Sequence, residues 1–353
     1  MKIGIYDLYL DTLGGGEKYA LTIGSLLSEK GEVDVFWKAT IKKKAELITG
    51  LDLSKVNFVG DIPKSRSSDK LSSLRFTNGY DLFFYVTDGS LFFSRAKKSY
   101  LIIQAPQKDM YRSSFLNQLK LQTWTAQLCY SNYVKNYITQ WWKKQTFVLP
   151  PAIQTESFKE GKKEQIILSV GRFFPLPHSK KQEVMVETFK KMTQQGLKNW
   201  RLILIGGADP EARDYLEKVK VAAKGYPIEI YTNINFTDLK KWYAKAAIYW
   251  HATGFGENLE FYPERAEHFG MTTLEAMSAG GVPIVFPAGG QKEIVDDKQN
   301  GIFWTTPGNL AENTLFLINN KNLWKKYSQA AREKSLQYTV EQFRQNLFNI
   351  INK

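Results

Sequence analysis

"PPAIQTESFKEGKKEQIILSVG", residues 150–171, opens on a proline pair, turns polar and charged, and ends in an apolar run closed by glycine. Pro150–Pro151 suits neither a helix interior nor a central strand, so residues 150–165 read as a linker and 165–171 as a new first strand. Before it, short apolar runs stand at 2–8, 32–37, 56–60, 81–86, 99–104 and 146–151. After it they recur at 165–171, 201–207, 228–232, 247–253, 282–287 and 301–304. The segments between have helical period; in 16–31, Tyr19, Ala20, Ile23, Leu26 and Leu27 share one stripe. Strands alternating with helices predict α/β architecture with parallel sheets covered on both faces. Two series, each restarting at its own first strand, predict two Rossmann-like halves with ligands at the carboxyl ends of the strands. The expected division is 1–152, 153–334 and a last segment, 335–353. There Phe343, Leu347, Ile350 and Ile351 form an amphipathic face that needs a surface to cover, expected to be the first half.

Composition narrows the function classes. A chain of 353 residues with 43% hydrophobic and 14% aromatic residues can build two cores. No stretch approaches the roughly 18 continuous apolar residues of a membrane-spanning helix. The first residues read as a strand rather than a secretory signal. Cys129 is the single cysteine, so no intrachain disulfide forms. His178, His251 and His268 show no metal-ligand spacing. The expected setting is the cytoplasm. Net charge is +13, and residues 1–150 hold 21 Lys/Arg against 13 Asp/Glu. Such a half suits phosphorylated substrates or an anionic membrane surface as well as simple solubility. Nucleic acid is not expected, since no nucleic-acid-binding signature is present.

Three stretches carry chemistry. "DTLGGGEKYA" (11–20) puts three glycines between the first strand and a helix, where backbone N–H groups can approach a phosphate or sugar. It lacks the Gly-Lys-[Ser/Thr] ending of a P-loop, and Tyr19 spoils the dinucleotide fingerprint. A tight turn without a ligand stays open. "SVGRFFPLPHSKKQ" (169–182) sets Arg172 directly after a strand and Lys180 and Lys181 before a helix, cations able to neutralise a diphosphate. A loop of solvated charges is the alternative. "EHFGMTTLEAMSAGGVP" (267–283) places Glu267 before a turn at Gly270, with a helix beginning near Met271 or Thr272 and Glu275 just inside it. The free N–H groups of that helix form an anion site. For Glu275 the competing reading is a Thr272–Glu275 capping box, which needs no ligand. Glu267 could equally be an exposed loop acid.

Together these residues resemble the retaining GT-B glycosyltransferases called family 4. Glu267-x7-Glu275 within E-x-F-G-x-x-x-L-E-A-M-x-x-G-x-P is similar to that family's donor-site motif. Gly14–Gly16 resembles its first loop, Gly171–Arg172 with Lys180 its basic segment, and "GGQKEIVDDKQNGIFW" (289–304) a further motif. The resemblance spans almost the whole chain, strongest over 165–305. It implies that Glu267 contacts the donor sugar and Glu275 the ribose. The N–H groups of Met271, Thr272 and Thr273 would cradle the distal phosphate, Arg172 and Lys180 would neutralise the leaving diphosphate, and Gly15 and Gly16 would approach the same phosphates. Fixed cations and a helix end would take the place of a metal, so no metal or other cofactor is expected. Gln104 stands where many members carry a histidine that touches sugar or acceptor. Lys180 and Lys181 compete for the phosphate, and His251, ending a strand, is a candidate donor or acceptor contact or a structural histidine.

The implied activity is transfer of a sugar from a nucleotide-sugar donor to an acceptor hydroxyl, with retention. No carboxylate nucleophile is evident in the first half, which favours a front-face route. "GGGEKYA" is similar to loops of transferases that use GDP-mannose in lipid-linked glycan assembly, which tilts the donor toward GDP-mannose over UDP-sugars. The acceptor is then a glycan or lipid-linked glycan, with the basic half resting on membrane through 72–80 and 107–124, where cations and aromatics interleave. The alternative for those aromatics is core packing. Rival functions are a non-catalytic nucleotide-sugar-binding module and a nucleotide-sugar epimerase.

Overall fold

The computed structural model describes residues 1–60, 76–111, 114–175 and 179–353. His178, residues 72–75 of the 72–80 stretch, and Arg112 and Ser113 of the 107–124 stretch lie outside them. The chain divides into two compact units: Met1–Ala152 with Glu341–Lys353, and Ile153–Val340. The last segment therefore changes unit at Glu341, and residues 335–340, expected with it, belong to the second unit.

The first unit is built on a seven-stranded sheet in the order β3-β2-β1-β4-β5-β6-β7. Its strands are β1 (Lys2–Asp7), β2 (Glu32–Val35), β3 (Val56–Phe58), β4 (Leu82–Val86), β5 (Lys98–Ile103), β6 (Ala126–Cys129) and β7 (Thr146–Val148). Every pairing is parallel. β6 is not among the sequence-predicted strands. Its four residues are all buried, but Gln127 interrupts the apolar run. The Gln127 Oε1 accepts a hydrogen bond from Thr146 Oγ1 at 3.0 Å on β7. That partner, supplied by the neighbouring strand, satisfies the amide oxygen, while Gln127 Nε2 is buried with no partner among the described residues.

One face of this sheet carries an aromatic core. Tyr6 stacks on Tyr85 with ring centroids 5.2 Å apart, and Phe83, Phe92 and Trp124 meet edge-on around them. Offset and edge-on contacts suit the ring quadrupoles and add to the area buried. The final helix, Val340–Ile351, closes the unit. Phe343 is buried and meets the Tyr19 ring edge-on at 5.4 Å, and Arg344 binds both carboxylate oxygens of Glu29.

The second unit holds six parallel strands in the order β10-β9-β8-β11-β12-β13. They are β8 (Glu164–Val170), β9 (Arg201–Gly206), β10 (Ile228–Thr232), β11 (Ala246–His251), β12 (Val282–Val285) and β13 (Ile302–Phe303). Phe189, Leu202, Leu204, Trp250 and Trp304 are at the centre of its core. In each sheet the strand order reverses beside the first strand, between β1 and β4 and between β8 and β11. Chains leaving the carboxyl ends at such a point depart to opposite faces and leave a crevice.

Truncating Phe343 to alanine removes the largest buried side chain of the final helix. Loss of transfer energy plus a cavity should cost about 3–5 kcal/mol of the first unit's stability. Chemical denaturation followed by tryptophan fluorescence checks it, and a change under 1 kcal/mol contradicts this packing role.

Candidate active site

The crevice of the second unit gathers residues from three segments. β8 ends at Val170, and Gly171 and Arg172 follow. A Cβ on Gly171 would lie 2.7 Å from Lys180 Cγ, so glycine lets the Lys180 side chain run across the backbone. Buried Gln182 fixes this turn by donating from Nε2 to the carbonyls of Gly171 and Arg172, both at 3.2 Å. Arg172 is exposed, its guanidinium 5.9 Å from the centre of the Phe174 ring.

Lys180 Nζ donates to Glu267 Oε2 at 2.7 Å, and His251 Nε2 meets the same oxygen at 2.8 Å. An ionised carboxylate only accepts, so His251 Nε2 carries its proton toward Glu267 and Nδ1 is left bare. That Nδ1 is buried without a partner among the described residues. Burial by itself would raise the Glu267 carboxyl. The Lys180 charge and the His251 hydrogen bond outweigh it and hold Glu267 well below the usual carboxylate range. Burial pushes the His251 imidazole down, against the pull of Glu267. Glu267 is thus an ionised, cation-paired carboxylate, not an exposed loop acid.

Lys181 takes a different partner. Its Nζ donates to Glu257 Oε1 at 2.5 Å, and Arg265 binds the other oxygen at 2.8 Å. The two lysines are separated because Lys181 adopts a left-handed backbone, φ 55°, at the start of helix Gln182–Gln194.

Helix Met271–Ser278 begins at Gly270, whose φ of 114° is left-handed, and no side chain caps it. A Cβ at Gly270 would meet Gln291 Nε2 at 2.7 Å. The capping box does not form: Thr272 is already inside the helix, and its hydroxyl bonds that of Tyr249 at 2.8 Å. Thr273 Oγ1 accepts from Gln291 Nε2 at 2.8 Å. Glu275 is buried and accepts from the Tyr243 hydroxyl at 2.8 Å. The helix start is therefore open to an anion at its first two residues, while the Thr273 N–H already donates to the Gly270 carbonyl at 3.1 Å. Tyr249, buried on β11, lies within the fields of both Glu267 and Glu275. Sequence reading passed over both tyrosines. The signal was there in "WYAKAAIYWH" (242–251), where a helix end and a strand each supply one.

In the first unit, Gly15 and Gly16 open helix Gly15–Leu27 after Gly14. Glu17 turns back to accept the Gly14 N–H at 2.6 Å. Gln104, just past β5, lies so close over Gly16 that a Cβ there would overlap its amide. Among the described residues no group of three or more His, Cys, Asp or Glu side chains converges as a metal site.

Two parallel α/β units, the second with an ionised carboxylate, a lysine and an uncapped helix start at its switch point, define a GT-B architecture. Residues 152–334 match the profile of the family described as Glycosyl transferases group 1, and the chain belongs to that family. Among curated proteins it is similar to an uncharacterized glycosyltransferase of Methanocaldococcus jannaschii, 25% identical over 61% of this chain and 55% of that protein. It is also similar to the GDP-Man:Man(3)GlcNAc(2)-PP-Dol alpha-1,2-mannosyltransferase of Dictyostelium discoideum, 24% identical over 63% of this chain and 44% of that one. The chain thus spans about half the length of these relatives. Among solved structures, Anabaena HepE in complex with UDP aligns over 100% of both chains with a TM-score of 0.77 and 16% identity. Sucrose-phosphate synthase from Thermosynechococcus elongatus aligns over 100% of this chain and 98% of its own at 0.73 and 18%. Both share the fold.

Because the folded His251 titrates below its unfolded value, the unfolded chain binds the extra proton as pH falls through about 6.5. Stability contributed by neutral His251 is therefore present above that pH and lost below it. Asp7, whose buried carboxyl is raised to about 7, gains stability over the same range and opposes this, so the expectation is comparative: between pH 7.5 and 5.5 His251→Gln should hold its melting temperature better than the wild type. Half-buried His268, shifted the same way, adds to the His251 contribution. Thermal melts at the two pH values check this, and an equal change in the variant contradicts it.

Proposed function

We propose that the protein is a retaining, metal-independent glycosyltransferase that moves a sugar from a nucleotide donor to an acceptor hydroxyl. The observation that carries this reading is the Lys180–Glu267–His251 cluster beside the uncapped helix Met271–Ser278. In it, the diphosphate lies on the N–H groups of Met271 and Thr272, flanked by Arg172 and Lys180; the Thr273 N–H, expected to join them, is taken by the Gly270 carbonyl. Lys180 has three donors, so its bond to Glu267 leaves two for phosphate oxygens. Lys181, held by Glu257, serves the loop and not the phosphate. Glu267, kept anionic, accepts hydrogen bonds from sugar hydroxyls, and its link to Lys180 ties sugar position to phosphate position. Glu275, fixed by Tyr243, accepts from the ribose. Charge growing on the leaving phosphates is met by fixed cations and a helix dipole that need no reorganisation.

GDP-mannose is the favoured donor. The glycine-rich turn and the likeness to GDP-mannose-dependent enzymes named for dolichol-linked acceptors support it. The fold neighbour complexed with UDP keeps UDP-sugars as the second choice. The acceptor is a glycan, lipid-linked in the favoured reading, met at a cytoplasmic membrane face. Among the described residues no helix is long and apolar enough to cross a membrane. Tyr111, Leu121 and Trp124 of the 107–124 stretch are buried, as core packing requires. Met110, Leu116 and Leu119 are exposed, and Phe115 is 82% exposed. Apolar groups left in solvent beside Lys108 and Lys120 suit a lipid interface.

Incubation with GDP-mannose, UDP-glucose and a panel of glycan acceptors tests the reading. Sugar transfer is expected in the presence of EDTA. Alanine at Arg172 or Lys180 should raise the barrier by about 2–4 kcal/mol in kcat/KM. Glu275→Gln should weaken nucleotide binding by about 1–2 kcal/mol. Nucleotide binding with no transfer points to a binding module, donor isomerisation without transfer to an epimerase, and a strict Mg2+ requirement contradicts the metal-free site.

The membrane part is checked by cosedimentation with vesicles containing anionic lipid. Binding should fall between low and high salt, since each basic residue near the surface contributes roughly 1 kcal/mol screened over a Debye length. Phe115→Asp should weaken it further, and absence of binding at low salt points to a soluble acceptor.

A further inference from the structure

Lys180 and Lys181 are adjacent in the chain, and only the first meets Glu267. What separates them is a second carboxylate. Glu257 lies in the segment between β11 and helix Met271–Ser278, the same segment that delivers Glu267. Its Oε1 accepts from Lys181 Nζ at 2.5 Å and its Oε2 from Arg265 Nη1 at 2.8 Å. The Glu257 side chain is 7% exposed and that of Lys181 15%. Its own backbone is anchored. The Glu257 N–H donates to the Gly254 carbonyl at 3.2 Å. Phe255 packs against Trp304 and Phe286, with ring centroids 5.0 and 5.6 Å apart, which ties this segment to the core of the unit. Arg265 is held from its far side, the guanidinium 4.0 Å from the centre of the Tyr262 ring.

Burial by itself raises the Glu257 carboxyl. The hydrogen bonds and charges of Lys181 and Arg265 outweigh it and hold Glu257 below the usual carboxylate range. One anion thus meets two cations, and Arg265 comes from its own segment. The bond that crosses to another segment is the one to Lys181. The left-handed backbone at Lys181, φ 55°, sets where the side chain starts, but a four-carbon stem with free torsions is not held by its backbone alone. Without an acidic partner its ammonium would turn to the next anion, the Glu267 that Lys180 already binds or a phosphate at the uncapped helix start. An ammonium that wanders there stabilises a leaving group poorly, because the useful charges are those already in place. A further cation on the phosphates would also hold substrate and product alike, and such uniform binding does not raise kcat.

We propose that Glu257 is a positioning residue that withdraws Lys181 from the diphosphate site, so that Lys180 is the lysine left to serve it. The inference rests on the transferase reading above and deepens it by naming what chooses between two adjacent lysines. Glu257 acts through Lys181, and Arg265 keeps Glu257 ionised and in place.

The test is a double-mutant cycle on the full chain, with GDP, UDP and inorganic pyrophosphate as probes in titration calorimetry at low and high salt. Glu257→Gln keeps the shape and frees Lys181. It is expected to tighten binding of the probe that wild type binds best by about threefold or more at low salt, with a steeper loss as salt is added. Lys181→Met leaves Glu257 to Arg265 and should stay within about twofold of wild type, and so should the double variant, which has no ammonium left to release. A purely structural ion pair gives the opposite sign: weaker binding in Glu257→Gln, in step with a lower melting temperature, and no recovery in the double variant. That result overturns the proposal, as do additive effects of the two changes, which report bare charge. If Glu257→Gln does not fold, Lys181→Met decides. Binding within about twofold supports the withdrawal, and a loss of about tenfold or more shows Lys181 itself on the phosphates and overturns it. Wild type that binds none of the three probes sinks the transferase reading and this inference with it. Wild-type binding with additive effects sinks this inference alone.

Discussion

A carboxylate inside a protein must find a cation or enough donors, or it takes up a proton and loses its charge. Glu267 meets that constraint with Lys180 and His251, and much of the second unit exists to bring the three together. Lys180 arrives because a glycine, Gly171, follows β8 and Gln182 pins that turn. His251 arrives because β11 pairs with β8 in parallel, so their carboxyl ends share one edge. Glu267 arrives because the chain reverses at Gly270, where a side chain would need both a strained φ and the space of Gln291.

The same turn leaves helix Met271–Ser278 without a side-chain cap. A helix so begun has free N–H groups facing outward from a rigid, buried frame. The apolar "LEAM" that follows anchors it: Leu274, Ala276 and Met277 are buried. Rigidity matters here, because electrostatic stabilisation of a leaving group depends on dipoles that are already in place.

The two sheets are alike in topology and unlike in charge. Where the second crevice collects a paired carboxylate, lysine and a helix end, the first collects the carboxyls of Asp7 and Glu17, the Tyr130 phenol and the Gln104 amide. Parallel α/β geometry provides the crevice in both cases. Side chains at the strand ends then set the charge of each.

How far the sequence reached can be seen residue by residue. Twelve of the strands read as short apolar runs because a parallel sheet buries both faces of each strand. β6 escaped because Gln127 interrupts its apolar run, and the Thr146 hydroxyl that meets the amide oxygen comes from a neighbouring strand. Arg172, Lys180, Glu267, Gly270 and Glu275 could be picked out because glycine turns and helix starts are local in sequence, and the family resemblance rather than the spacing gave them their expected roles. By itself the sequence determined the two α/β halves, the break near residue 152 and the family. Only tertiary structure decided which lysine pairs with Glu267 and which with Glu257, and that Glu275 is bound by Tyr243 and forms no capping box. Those facts depend on hydrogen bonds between residues tens of positions apart, and such distances are fixed only when strands pair and bury the groups between them.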